Sequence, residues 1–162
     1  MDFAALNEHL GGVLKSESFR DNTRLIVPAA QLDDLMSHLK HHLGFDMLSD
    51  VTCCDYLEYP GATDRYGVIY VVVNTRTRER LVVKTFVNDP SPTLPSMYRH
   101  WKTADWTERE VYDLFGIHFT GHPNLQRILC PPEFESHALR KDYPLKGRGE
   151  RHNFPVITRA ES

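Results

Sequence analysis

Cysteine is scarce in this chain, with three among 162 residues. Cys53 and Cys54 are adjacent, so in a strand their side chains point to opposite faces, and Cys130 lies far off in sequence. This usage excludes a disulfide framework and implies a reducing compartment. It also falls short of the four thiolates that usually hold an iron–sulfur cluster. We read the three as reduced core or interface cysteines. Long apolar runs are missing as well: none approaches the roughly 18 residues that a membrane span needs. The opening MDFAALNEHL is acidic and amphipathic, unlike a secretory signal. Positive charge is not in surplus; the net charge of −3 provides no general attraction to nucleic acid. Gly11-Gly12 and Gly61 are too isolated to cradle a phosphate, and no nucleophile elbow, phosphate loop or dinucleotide fingerprint is present. The expectation is a protein soluble by itself that carries no cofactor box.

What is present is the composition of one globular domain, 41% hydrophobic and 25% charged, long enough for a core without metal or disulfides. Phe3, Leu6, Leu10 and Val13 or Leu14 recur at helical spacing, predicting a helix over residues 2–15 that Gly11-Gly12 weakens. Residues 23–27 read as a short strand closed by Pro28. Leu32, Leu35, Met36, Leu39 and Leu43 form one apolar stripe, a helix stopped at Gly44. A strand is expected within 45–55 and a turn-rich loop over 59–64. Residues 66–73 and 80–87, rich in β-branched and aromatic side chains, predict an antiparallel hairpin. The proline-rich stretch 88–95 ends the sheet, and a short helix over 96–101 follows. Strands outnumber crossover helices, so the fold class is α+β, a two-layer sandwich rather than a doubly wound sheet.

The segment from Trp106 to Leu129 is the most informative. Thr107 followed by Glu110 has the form of a capping box, with Trp106 and Val111 placed as a hydrophobic staple. Gly116 supplies a left-handed stop. Beyond it, apolar residues from Ile117 to Ile157 are punctuated by Pro123, Pro131, Pro132, Pro144 and Pro155, a spacing that forbids a long helix. Disordered segments are poor in such residues, because burial cannot repay the ordering entropy. The chain is therefore read as an α+β domain over 1–116 and an extended, Pro-rich arm over 117–162 that orders against a partner. From His122 onward there are seven Lys and Arg against five Asp and Glu, which suits a basic arm on an acidic neighbour.

Two clusters invite chemistry. His38, His41 and His42 have i, i+3, i+4 spacing that could hold a metal, but they sit on the polar face of their helix without a cysteine or HExxH pattern, and a solvated face explains them. Glu108, Arg109, Glu110 and Asp113 resemble a carboxylate set. However, Glu108 and Glu110 diverge by about 200° around a helix of 3.6 residues per turn. Capping and ion pairs to arginines of the tail or of a neighbour account better for them.

Glu108-Arg109-Glu110, Asp113, Gly116-Ile117, Phe119, Gly121-His122-Pro123, Leu125 and Arg127-Ile128-Leu129 form one ordered block. A second follows at Arg140-Lys141-Asp142 with Pro144-Leu145. Together they resemble the 30-kDa-type subunit family of respiratory complex I, which includes the C-type subunit of bacterial NADH:quinone oxidoreductases and the J-type subunit of plastid-type relatives. The likeness in layout runs from the first helix to about Leu145. The chain departs from the family before the second block, where Ser136-His137-Ala138 replaces the usual Gly-His-Pro.

The resemblance implies a mixed β-sheet with helices on one face. It implies a non-redox structural and assembly subunit in the hydrophilic arm of a proton-translocating NADH dehydrogenase, beside the large quinone-site subunit. Such a subunit is peripheral, on the cytoplasmic face of the bacterial inner membrane. The complex uses FMN, Fe-S clusters, NADH and a quinone such as ubiquinone; this chain is expected to bind none of them and to hold no catalytic centre or metal. Its expected interface residues are Glu108, Arg109, Glu110, Asp113, Gly116, His122, Pro123, Arg127, Arg140, Lys141 and Asp142. Alternatives stay open. The chain could serve a plastid-type quinone oxidoreductase or a membrane-bound hydrogenase complex. It could be a freestanding hydrolase using Asp113 with His118 or His122, or an adaptor unrelated to respiration.

Overall fold

The computed structural model describes residues 3–20 and 22–153. The helix start expected at Asp2 and the tail residues Phe154, Pro155, Val156 and Ile157 lie outside them. In chain order the elements are α1 (Phe3–His9), β1 (Lys15–Phe19), β2 (Asn22–Ile26), α2 (Leu32–His41), β3 (Met47–Asp55), β4 (Tyr66–Asn74), β5 (Glu79–Val87), β6 (Thr93–Pro95), α3 (Ala104–Phe115) and β7 (His118–Thr120). Short 3-10 turns precede α2, precede α3 and close the described chain.

Five strands form one sheet in the order β1-β2-β5-β4-β3. β2 runs parallel to β5 and the other neighbours are antiparallel, which makes the sheet mixed. The period-2 alternation of β4 and β5 decides which face is covered. Tyr66, Val68, Tyr70 and Val72 are fully buried, as are Leu81 and Val83, and they pack against the helices. The stripe predicted for α2 meets this face with Leu32, Leu35, Met36 and Leu39 all at 0% exposure. Each such side chain contributes about 1.5–3 kcal/mol when buried. The expected α+β sandwich with a mixed sheet is what the chain adopts.

Several boundaries differ from expectation. The first helix ends at His9 rather than near residue 15, because Gly11 and Gly12 take left-handed φ angles of 70° and 79°. The chain then forms β1, a strand the helical spacing of Val13 and Leu14 concealed. The helix expected over 96–101 is a 3-10 turn over Met97–Arg99, capped by the Ser96 hydroxyl, which accepts from the Tyr98 amide. The proline-rich break contains β6, which pairs in parallel with β7.

The capping box is also absent. α3 begins at Ala104, three residues before Thr107, and no side chain caps its N-terminus. Thr107 sits inside the helix, its hydroxyl donating back to the Thr103 carbonyl at 3.4 Å. Trp106 is 63% exposed, so there is no staple. Tertiary packing explains the shift: Ala104, Glu108, Val111 and Phe115 lie at i, i+4, i+7 and i+11 and are all buried, which draws an extra turn into the helix.

The passage from the expected α+β domain to the expected arm falls at Gly116. Ile117 and Phe119, just past it, are 0% and 1% exposed within the common core. Gly116 is a tight left-handed stop, at φ 75°, inside continuous packing.

Candidate functional site at the junction of α3 and the tail

α3 carries two buried carboxylates, Glu108 and Asp113, and each takes a different role. Glu108, at 0% exposure, accepts from the Ser96 hydroxyl and the Met97 amide, both at 2.6 Å. It therefore ties the helix to the turn before it. Burial pushes its carboxyl up to about 7 against the pull of those two donors, with Asp105 adding to the rise.

Asp113, also at 0% exposure, faces the tail. Its Oδ2 accepts from the consecutive amides of Ile128, Leu129 and Cys130 at 3.0, 2.7 and 2.9 Å. Its Oδ1 meets Arg127 Nη1 at 2.7 Å. Burial alone would raise this carboxyl; the amides of Cys130 and Leu129, the Arg127 guanidinium and the Ile128 amide outweigh it and hold the group at about 2. Arg127 continues outward, Nη2 donating to the Ser136 carbonyl at 3.0 Å. One carboxylate thereby closes the tail into a loop against the helix.

The tail then crosses the end of α3. Arg140 Nε donates to the Phe115 carbonyl at 2.6 Å, and the Leu139 amide to the Leu114 carbonyl at 3.0 Å. These bonds satisfy two of the orphan carbonyls at the helix C-terminus, where a cation is also favoured. The crossing is close. A Cβ built on Gly116 would stand 2.5 Å from both Arg140 Nη2 and His137 Nε2. His137 adds to the crossing: a ring nitrogen lies 2.9 Å from the Asp113 carbonyl.

A second buckle follows. Asp55, at the end of β3 with its side chain 1% exposed, accepts from the Lys141 amide at 2.8 Å. Arg65 at the foot of β4 bridges Asp55 at 3.2 Å, Asp142 at 2.9 Å and Asp89. Burial would raise Asp55, but the Lys141 amide, the Arg65 guanidinium and the Leu57 amide together leave it below the usual carboxylate range. Burying these charges without partners would cost several kcal/mol each, so the buckle holds only while both sides are present.

Among the residues expected at an interface, Asp113, Gly116, Arg127, Arg140, Lys141 and Asp142 meet in this junction. Arg109 joins it from the outer side, donating to the carbonyls of Gln126 and Arg127 at 3.0 and 3.4 Å and lying 5.2 Å from the Trp106 ring. His122 is separate. Its buried ring accepts from the Asn124 amide and faces Asp105, so it fixes the turn after β7. Glu110 and Pro123 are exposed and stand apart.

Sequence reasoning missed Asp55, Arg65, Asp89 and Ser96. The only signal was position, since three of them sit at the ends of β3, β4 and β5, where polar residues are ordinary.

The arrangement does not favour the hydrolase reading. Both oxygens of Asp113 are occupied by four donors, and its carboxyl is held near 2, too acidic to take a proton near neutrality. His118 is exposed on β7, and His122 is turned to Asp105. Of the helix histidines, His38 stacks with His42 at 4.7 Å between ring centroids, and His41 approaches His100 instead. Among the described residues no group of three or more His, Cys, Asp or Glu is arranged to hold a metal ion.

A five-stranded mixed sheet carrying a tail buckled by buried carboxylates defines an α+β protein of the mixed-sheet class. A family model described as "Respiratory-chain NADH dehydrogenase, 30 Kd subunit" matches residues 25–149, and the chain belongs to that family. The C-type subunit of the NADH-quinone oxidoreductase of Trichlorobacter lovleyi is 39% identical over 137 residues, covering 85% of this chain and 83% of that protein. A probable mitochondrial NADH-ubiquinone oxidoreductase 30.4 kDa subunit of Candida maltosa is 40% identical over 82% of this chain. The matched part is about half (47%) of that relative's length.

Among solved structures, a trypsin-resistant fragment (1–134) of Nqo5 superposes with a TM-score of 0.69 at 34% identity, covering 75% of this chain and 97% of the fragment. A chain of the archaeal membrane-bound sulfane sulfur reductase superposes at 0.75 over 96% of this chain and 91% of its own length. At 22% identity that likeness speaks to the fold alone. No helix among the described residues is long and apolar enough to cross a membrane.

Proposed function

We propose that this chain is a non-redox structural and assembly subunit of a proton-translocating NADH:quinone oxidoreductase. In that role it sits in the peripheral arm, on the cytoplasmic face of a bacterial inner membrane. Electrons pass from NADH through FMN and Fe-S clusters to quinone on other subunits, and this chain contributes no catalytic centre and binds none of those groups. Its neighbours include the large quinone-site subunit.

One observation carries the reading. Asp113 and Asp55 pin the backbone of the tail at two points, yet Leu129, Leu139 and Leu145 are 61%, 52% and 104% exposed along it. A chain that anchors its backbone so firmly while turning leucines outward is presenting them to a partner; three such side chains in one short segment exceed ordinary scatter. The anchors supply the ordering entropy before docking, which lets the leucines contribute to affinity rather than to folding of the arm.

The test is affinity purification of a tagged copy from gently solubilised membranes, with mass spectrometry and an NADH:quinone reductase assay. Recovery of flavin and iron–sulfur subunits with activity supports the reading. Recovery with hydrogenase subunits keeps the structural role and changes the reaction. A lone chain, from cells that make the complex, refutes it.

A further inference from the structure

We infer that the sheet face that no described helix covers is a second docking surface, separate from the described tail, and that its occupant is an acidic segment with apolar side chains from another subunit. The inference rests on the assembly reading above.

Residues opposite one another across the ladder share a face, and the registers define two rows on this side. One runs Glu17, Arg24, Val82, Val71, Asp50, and the next Lys15, Ile26, Lys84, Ile69, Thr52. The centre is apolar, with Ile69, Val71 and Val82 standing outside the helix-packed core. Arg24, Arg80 and Lys84 surround it and line one cleft with Tyr56. Tyr56 leans over the sheet, its hydroxyl accepting from Lys84 Nζ at 2.7 Å, and Gly67 leaves it room: a Cβ there would lie 2.8 Å from the ring. Tyr59, 63% exposed, extends the same rim in edge contact with Tyr56. Tyrosine and arginine around an apolar centre is the composition of an interface core, not of an idle surface.

Charge decides between occupants. The face, with Arg80 at its end and Asp64 in the cleft beside Tyr59, carries four cations (Lys15, Arg24, Arg80, Lys84) against three carboxylates (Glu17, Asp50, Asp64), on a protein whose net charge is −3. A second copy of the same face would bring like charge. The chain's own last residues, 146–162, carry Lys146, Arg148, Arg151 and Arg159 against Glu150 and Glu161, and are equally mismatched. An acidic partner segment is complementary, and complementarity of this kind selects partners and register. Ile69 and Val82, both half-buried, supply the apolar contact, with Val71 already covered between them.

The experiment places a photo-crosslinking amino acid at Val82 in the tagged chain, irradiates membranes containing the assembled complex, and maps the linked peptides. A link to another subunit, in a segment where Asp and Glu outnumber Lys and Arg, is the expected result. A link to residues 146–162, to a second copy, or none while the chain still co-purifies with its partners overturns this inference and leaves the assembly reading standing. Failure of the unmodified chain to co-purify overturns both. A double variant, Arg80→Glu with Lys84→Glu, should lower recovery of the complex about tenfold. Reversing carboxylates to lysine in the linked segment should restore it, an outcome that a folding defect would not give. Normal recovery of the double variant counts against the surface.

Discussion

Asp113 and Glu108 are five residues apart on one helix and titrate in opposite directions, because one is surrounded by donors and the other mainly by hydrocarbon. For Asp113 the folded carboxyl, at about 2, lies below its ordinary 3.8. Its stabilisation is therefore fully present above pH 3.8 and lost as pH falls through 2, an amount of about 2 kcal/mol at 1.36 kcal/mol per unit. Asp113→Asn keeps the shape but leaves Arg127 without its charge partner, and should destabilise the protein by about 3–5 kcal/mol at neutral pH by urea unfolding. For Glu108 the folded value, about 7, lies above 4.5. Stability is then fully present below 4.5 and falls as pH rises through 7, by about 3 kcal/mol in all. Glu108→Gln removes that dependence. Relative to wild type, the glutamine variant should gain stability between pH 5 and pH 7 and level off above that; a constant difference from pH 5 to pH 7 would refute the assignment.

At the scale of elements, the end of α3 and the tail form one unit. Gly116→Ala places a Cβ against Arg140 and His137 at a φ of 75°, so it meets both backbone strain and a clash. We expect it to destabilise by at least about 1–3 kcal/mol, judged by the thermal midpoint. Arg140→Glu sets a carboxylate against the Phe115 carbonyl and near Asp89, and should free the tail without melting the sheet. Limited proteolysis should then cut between 129 and 148 while a fragment ending near Leu129, which keeps the buried Ile117 and Phe119, persists. Loss of the whole domain at the same protease concentration would show that the tail is integral to the core.

The elements differ in how legible they were. The α2 stripe and the β4–β5 hairpin were readable because their burial follows one period through the whole element. α3 was misplaced by a turn because Thr107 and Glu110 match a capping box locally, while the burial of Ala104 and Glu108 depends on β3 and on Ser96, remote in sequence. The Asp113–Arg127 pair was suggested by its residue types, but the three amides that complete it come from backbone and leave no mark in the sequence.

For the whole molecule, the buckled tail and the open sheet face address different sides of the chain, so they should fail independently. Leu129→Asp with Leu139→Asp leaves every anchor in place and should reduce co-purification of neighbouring subunits about tenfold or more, since charged groups buried at an interface typically cost several kcal/mol. Unchanged recovery would remove the tail leucines from the interface. The same variant should not alter the thermal midpoint, because both side chains are exposed.

Local pattern was enough to establish the α+β class, the principal helices, the hairpin, the stop at Gly116 and, through two ordered motif blocks, the family. These depend on spacing and residue type within a few turns, which a linear chain displays directly. Only the tertiary structure decided that α3 starts at Ala104, that β1, β6 and β7 exist, and that Asp55 and Arg65 receive Lys141 and Asp142 from more than 75 residues away. It likewise divided two similar-looking carboxylates into an acid raised to about 7 and one lowered to about 2. The physical reason is the same in each case: burial and hydrogen-bond donors are properties of the space around a side chain, and that space is filled by residues the local sequence does not contain.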